Sequence, residues 1–319
     1  MKVLRTLPLG PHNLRYLLAS IIGCFFIATG LVRKHVKQAK SGNIITSIYF
    51  HNPSAQLFEK CIKWLITNKY YFISLDELYD LLISRKAVPG GGACIMVDDG
   101  WRDNIKNIIP VIDKYKVPVC FFISTEPVEN GVFWWTYVRK GKEMALIKPL
   151  SVDDLKSMPE SERKKRIGYL KEKFFLAREA MTKEDVAAIS SNPLITIGSH
   201  TVNHAYTDRC SETELVREIR DSKEILFQWT KKEIKFFSYP NGNFKGDEHC
   251  VLSRNNYLMA FTTRPDFINT NNFEIFYLPR FCVNDNGPLV ENICKITGVW
   301  QNKLNLMQRP RALQNWRIR

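Results

Sequence analysis

The apolar run Cys94-Ile95-Met96-Val97 ends in two adjacent carboxylates, Asp98 and Asp99, followed by Gly100. Much later, Ser199-His200-Thr201-Val202-Asn203-His204 sets two imidazoles four positions apart, directly after another apolar run. Together they supply one carboxylate and two imidazoles for a divalent cation. A second carboxylate is left to move protons. A cation-bound water beside a proton acceptor is the minimum equipment for hydrolysing an amide or ester. Each motif alone is weak, because Asp-Asp-Gly is commonly a turn and His-x-x-x-His pairs recur without metal. The signal is their joint occurrence in a chain with only six histidines.

The elements that must position these groups alternate in type. Apolar runs at 44–50, 94–97, 119–123, 194–198, 235–238, 258–262 and 275–278 read as seven strands. Helical spacing recurs at 56–68, 75–84 and 103–115, and Ser211-x-x-Glu214 is a capping box opening a helix that runs to Trp229. Such alternation predicts parallel βα units and an α/β fold, a distorted or incomplete (β/α)7 barrel. Chemistry in such barrels sits at the carboxyl ends of strands. Asp98, Asp99, His200, Tyr239 and His51 all fall there. Residues 131–193 exceed a simple connection. They contain Trp134-Trp135, a charged helical stretch at 161–180 and a cap at Thr182-x-x-Asp185. They are expected to form a helical insertion over the barrel mouth.

The net charge of +14 is concentrated at the ends. Residues 1–43 carry Lys2, Arg5, Arg15, Arg33, Lys34, Lys37 and Lys40 without an acid. Residues 301–319 carry Lys303, Arg309, Arg311, Arg317 and Arg319, again without one. A nucleic-acid enzyme places its basic patch on the body that holds the site. Charge at the ends suits an anionic membrane surface instead. The uncharged run 16–32 is at the short limit for a spanning helix and has basic flanks. Arg33-Lys34-His35 directly behind it argues against a cleaved signal peptide. The run is expected to span the membrane or lie on it as a monotopic anchor, and a buried core helix is the plain alternative. The basic cluster favours a cytoplasmic catalytic body. The expected organisation is an anchoring segment at 1–43, a catalytic domain at 44–300 and a basic tail at 301–319. The eight cysteines form no Cys-x-x-Cys pair, and a chain this long does not need disulfides, so a reducing compartment is expected.

The string V-D-D-G-W resembles the first motif of the polysaccharide deacetylase (NodB-homology) family, carbohydrate esterase family 4. S-H-T-V-N-H resembles its second motif, and F-F-S-Y-P-N-G-N its third in the variant lacking arginine. S-I-Y-F-H-N-P, M-T-K-E-D-V, A-F-T-T and L-P-R-F agree. The resemblance runs from about Ile44 to Asp285. It implies that Asp99, His200 and His204 bind a divalent metal, zinc by preference with cobalt, nickel or iron as alternatives, and that Asp98 is the general base. It also implies hydrolysis of an N-acetyl group on an amino sugar. Ser238 occupies the place of the third-motif arginine, so Arg280 either orients the base or forms a surface ion pair. No histidine follows His249. The branch resembling poly-N-acetylglucosamine deacetylases takes its general acid from the first strand, where His51 stands; a structural histidine is the alternative. Asn241, next to Tyr239 and Pro240, is the better oxyanion donor, since proline has no N–H. Trp134 and Trp135 form either a stacking wall for a sugar or plain packing.

The expected function is thus metal-dependent removal of an acetyl group from a cell-surface glycan or its lipid-linked precursor. Deformylation of a lipid-linked amino sugar and a catalytically silent glycan-binding relative are the alternatives. The retained base, ligands and His51 weigh against the silent relative. No nucleic-acid partner is expected.

Overall fold

The computed structural model describes residues 11–84, 90–144 and 151–301. Nearly all of the expected basic tail, with Lys2 and Arg5, lies outside the described residues.

Among the described residues nine strands form one sheet: β1 (Ile44–Phe50), β2 (Tyr71–Phe72), β3 (Gly92–Asp99), β4 (Val119–Ile123), β5 (Ile195–Ser199), β6 (Phe236–Ser238), β7 (Met259–Phe261), β8 (Ile268–Asn269) and β9 (Phe281–Cys282). Their order is β7-β6-β5-β4-β3-β1-β8, with β2 also on β3 and β9 also on β1. Every pairing is parallel except β1 with β8. Leu278 makes a parallel bridge to Phe261 of β7, and three residues later β9 pairs with β1. This irregular segment joins the two sides of the sheet, which curls into the incomplete barrel expected from the sequence.

Strand periodicity decides what faces the interior. In β3, Cys94 and Met96 point inward with Phe122, Phe236 and Phe261. Ile95 and Val97 point outward beneath the helices with Phe121 and Ile197. All eight residues of β3 are buried, as both faces of a helix-covered parallel strand must be. Each fully buried phenylalanine here contributes about 1.5–3 kcal/mol. Asp98, two residues beyond Met96, inherits the inward direction.

The capping boxes at Ser211/Glu214 and Thr182/Asp185 are both formed. Some expectations need correction. The helix expected over 103–115 is two, Asp103–Asn107 and Ile109–Tyr115, with Pro110 in the first turn of the second. The strand expected at 275–278 is absent except for the Leu278 bridge, and β9 lies just beyond it. The charged helix expected to Ala180 stops at Lys173, and the chain then runs to an antiparallel bridge between Ala180 and Trp101. The insertion helices Trp134–Glu143, Val152–Ser157 and Glu160–Lys173 build their own small core from Trp134, Tyr137, Leu155, Ile167 and Leu170, shared with Tyr206.

The amino-terminal run is not one helix. Pro11–Ala28 is followed by Gly30 at φ +76° and then Leu31–Ala39. Among the described residues no single helix is long and apolar enough to cross a membrane, although Leu14–Ala28 and Leu31–Ala39, bent by 68°, pass that test together. The first helix rests on Leu289–Ile296. Gly23 sits so close to Val290 that a Cβ there would approach its backbone to 2.9 Å. Arg15 donates to Glu291 at 2.8 Å, and Ala19 and Phe26 are buried, while Leu14, Leu17, Leu18, Ile21 and Phe25 are exposed.

Candidate metal centre and active site

At the end of β3 the chain turns sharply: Asp99 has φ +79° and Gly100 φ +95°. The turn leaves Asp98 facing the barrel interior and swings Asp99 towards the loop after β5. That loop is also in left-handed backbone, at Thr201 (φ 65°) and His204 (φ 48°). For a β-branched threonine this conformation costs about 1–3 kcal/mol. Surrounding bonds hold it. The Glu218 carboxylate accepts from the backbone N–H groups of Val202 (3.0 Å) and Asn203 (2.9 Å). Arg163 donates to the carbonyls of Asn203 (3.3 Å) and His204 (3.4 Å).

The result is a convergence of Asp99, His200 and His204, all buried, with one ligand atom from each lying within 4.8 Å of the others. Asp99 Oδ1 is 3.6 Å from His200 Nε2 and 3.3 Å from His204 Nε2. His200 Nδ1 lies 2.7 Å from the Ser238 carbonyl, which can only accept, so Nδ1 carries the proton and Nε2 is left with a lone pair. Asp99 Oδ2 accepts from Trp101 Nε1 at 2.9 Å, while Oδ1 is buried without a hydrogen-bond partner. An orphaned buried carboxylate oxygen between two imidazole nitrogens fits a cation. Burial lowers the His200 pKa to about 4, against the pull of Asp98, so the ring is neutral and ready to ligate at physiological pH. Burial works to raise the Asp99 pKa, but the surrounding imidazoles, His204 foremost with His51 and His200, outweigh it and hold the carboxyl well below its usual range.

Asp98 is held separately. Arg280, fully buried, donates from both terminal nitrogens to the two Asp98 oxygens at 2.8 Å each. Its remaining donors reach the Thr262 carbonyl (3.0 Å) and Ser238 Oγ (2.7 Å), and its guanidinium lies 4.1 Å from the Tyr49 ring centre. Of the two expectations for Arg280, the surface ion pair is excluded. Burial alone would raise the Asp98 pKa, but Arg280 outweighs it, with help from His200 and His51, and the carboxylate stays ionised.

His51 follows β1 and faces the same cavity. Its Nδ1 is 3.8 Å from Asp285 Oδ2, too long for a hydrogen bond but close enough for an ion pair when the ring is protonated. The same Asp285 oxygen accepts from the backbone of His51 (3.2 Å) and Asn52 (2.9 Å) and so fixes the end of the strand. Burial raises the Asp285 pKa.

These groups line a cavity of about 450 Å³, with Trp134, Trp135, Tyr206, Asn241 and Thr263 among its walls. Trp135 stacks on Phe133 at 4.8 Å and meets the His204 ring at 4.9 Å. Trp134 is almost wholly buried against Arg163 and Tyr206, so packing dominates its role. Tyr239 is a correction. Its side chain is fully buried outside the cavity against Phe237, Phe244 and Tyr277, and its N–H is bonded to the Phe261 carbonyl. Alternation along β6 explains this, since Ser238 faces Arg280 and its successor must face the helices. Asn241 keeps a place on the cavity wall at φ +57°. Trp101 and Asp285 were not singled out from sequence. Trp101 stood in the quoted V-D-D-G-W string, whereas nothing local marked Asp285.

A family model described as polysaccharide deacetylase matches residues 85–260. The poly-β-1,6-N-acetyl-D-glucosamine N-deacetylase of Staphylococcus aureus is 22% identical over 269 residues, covering 81% of this chain and 80% of its own. Among solved structures, IcaB from Ammonifex degensii matches with a TM-score of 0.59 at 16% identity, over 81% of this chain and 97% of its own. The Streptococcus pyogenes deacetylase PplD in complex with acetate matches with a TM-score of 0.54 at 18% identity, over 79% of this chain and 98% of its own. The three motifs expected from sequence meet at one centre on the fold these structures share, and the chain belongs to the polysaccharide deacetylase family as a glycan N-deacetylase.

Proposed function

We propose that this chain is a metal-dependent hydrolase that removes the N-acetyl group from an amino sugar of a cell-surface polysaccharide or of its lipid-linked precursor. The observation that carries this reading is the convergence of Asp99, His200 and His204 beside an ionised Asp98. Zinc suits one oxygen and two nitrogen donors best, and iron, cobalt or nickel accept the same set. A cation bound there supplies a Lewis acid for the acetamide carbonyl and lowers the pKa of a water towards about 7.

The remaining work falls to the chain. Asp98 takes the proton of the attacking water, and Arg280 fixes the carboxylate plane so that its free lone pairs face the cavity. His51, on the cavity wall beside Asp285, gives a proton to the departing amine. The backbone N–H of Asn241 stabilises the developing oxyanion. Trp135 offers an apolar wall to the sugar ring. Acetate release from N-acetylglucosamine oligomers tests the reading. It is expected to vanish with a chelator and to return with added zinc; turnover unaffected by exhaustive metal removal contradicts it.

The amino-terminal helix supports a second element of the proposal, attachment to an anionic membrane surface. Leu14, Leu17, Leu18, Ile21 and Phe25 are exposed on one helix, and Arg33, Lys34 and Lys37 follow on the next. Of the span, the monotopic anchor and the core helix left open by the sequence, the exposed apolar side chains and the bend after Ala28 favour the monotopic anchor, and the basic cluster favours a catalytic body on the cytoplasmic side. Flotation of the full chain with phosphatidylglycerol vesicles, lost in Leu17→Glu/Ile21→Glu/Phe25→Glu, tests this. Equal flotation of both proteins counts against it.

A further inference from the structure

The inner half of the cavity holds Asp98, paired with Arg280, and Asp99, set between the two imidazoles of the metal centre. The outer half is different. Its charged lining residues are Arg139 and Lys156, both from the insertion. Arg139 follows Trp135 by four residues on the same helix face, about 6 Å along the axis. Trp135 itself touches His204, so Arg139 stands one helical turn outward from the metal centre. Its hydrogen bond goes to Thr136 Oγ1 at 2.9 Å, and it has no carboxylate partner among the described residues. Lys156 comes from the next helix, again four residues after a lining residue, Val152. Its ion pair is with Asp153 at 3.3 Å, a side chain 86% exposed, and such a pair holds it only weakly.

Two helices from one insertion thus each present an apolar group and, one turn on, a cation to the same cavity. One cation without a carboxylate partner among the described residues and a second paired only with an exposed Asp153 make this wall electropositive, a surface that favours an anion. We infer that the natural substrate is an anionic glycan, carrying a phosphate or carboxylate next to the N-acetylated sugar, and that Arg139 and Lys156 bind that group. This deepens the N-deacetylase reading and rests on it. The reaction is unchanged: the amide C–N bond breaks, water supplies one of the two oxygens of the released acetate and the two protons that turn the amide N–H into an ammonium group, and the anionic group takes no part in bond making.

The test compares acetate release from N-acetylated chitotetraose, from its 1-phosphate and from a hyaluronan tetrasaccharide, in wild type and in Arg139→Gln, Lys156→Gln and the double variant. The expected result is a higher kcat/KM for at least one anionic probe than for the neutral one. That preference falls about tenfold in each single variant, with most of the change in KM, and shrinks with added salt. Preference for the phosphate ester points to a phosphate-linked precursor; preference for the hyaluronan fragment points to a uronate-bearing polymer. Equal turnover of neutral and anionic probes, or a preference the double variant leaves intact, overturns the inference while sparing the deacetylase reading. No acetate from any probe removes both.

Discussion

Two arginine–carboxylate pairs are buried among the described residues, and they serve different ends. In the barrel, Arg280 grips Asp98 from both terminal nitrogens, and Asp98 still lines the cavity. In the insertion, Arg163 grips Glu160 three residues away on one helix at 2.6 and 2.8 Å, and neither lines the cavity. Arg280 spends its other donors on the barrel wall, whereas Arg163 reaches out to the carbonyls of Asn203 and His204 and packs over Trp134 at 4.7 Å. The first pair holds a reacting group in its ionised form. The second holds the backbone that carries a metal ligand. A buried ion pair is weak evidence for stability in either place, because desolvation offsets the attraction. What distinguishes them is which neighbour each one positions.

The sharpest way to break the comparison is to remove one carboxylate at a time. Asp98→Asn is expected to lower acetate release by about 10²–10⁴-fold. It also leaves the Arg280 charge buried without its partner, a loss of about 3–5 kcal/mol readable by denaturant unfolding. Metal binding is expected to survive, because Asp98 is not a ligand. Next in size, His51→Ala is expected to reduce turnover by about 10²-fold with metal content unchanged; full turnover in that variant removes His51 as the acid.

Glu160→Gln probes the other pair. Loss of its charge frees Arg163 from its anchor, and metal affinity is expected to fall about 10–100-fold, as for other groups that orient ligands from behind. Turnover recovers at saturating metal, which Asp98→Asn does not allow. An unchanged metal affinity shows that the insertion does not hold the second-motif loop.

The smallest effect concerns pH. In metal-free protein the His200 pKa is lowered by burial from 6.5 to about 4. Between those values the unfolded chain binds the proton and the folded one does not. This contribution to stability is therefore present above pH 6.5 and lost as pH falls through about 4. Unfolding of metal-free wild type and His200→Ala across that window is expected to diverge as pH rises.

The site was more legible than its supports. Strands β1 and β4 have the bounds read from their apolar runs, because buried parallel strands advertise themselves as unbroken hydrophobic stretches. The two-residue strands β2, β8 and β9 are too short to show any period. Arg280 was marked only by its place in L-P-R-F, and sequence could not tell a buried orienting group from a surface ion pair. Glu160 and Arg163 stand in a segment so rich in charge that it reads as a solvated helix face. Trp134 and Tyr206, remote in sequence, are what bury them. Tyr239 was misplaced because motif membership was weighed above strand alternation, which already turned it away from Ser238.

The most direct test of the metal centre is titration of metal-free protein with Co2+, followed by its visible absorption, in wild type, Asp98→Asn, Asp99→Asn and His200→Ala. The geometry predicts one tightly bound ion per chain in wild type and Asp98→Asn, and loss of that site in Asp99→Asn and His200→Ala. Retention of the same spectrum and stoichiometry in both ligand variants would contradict it.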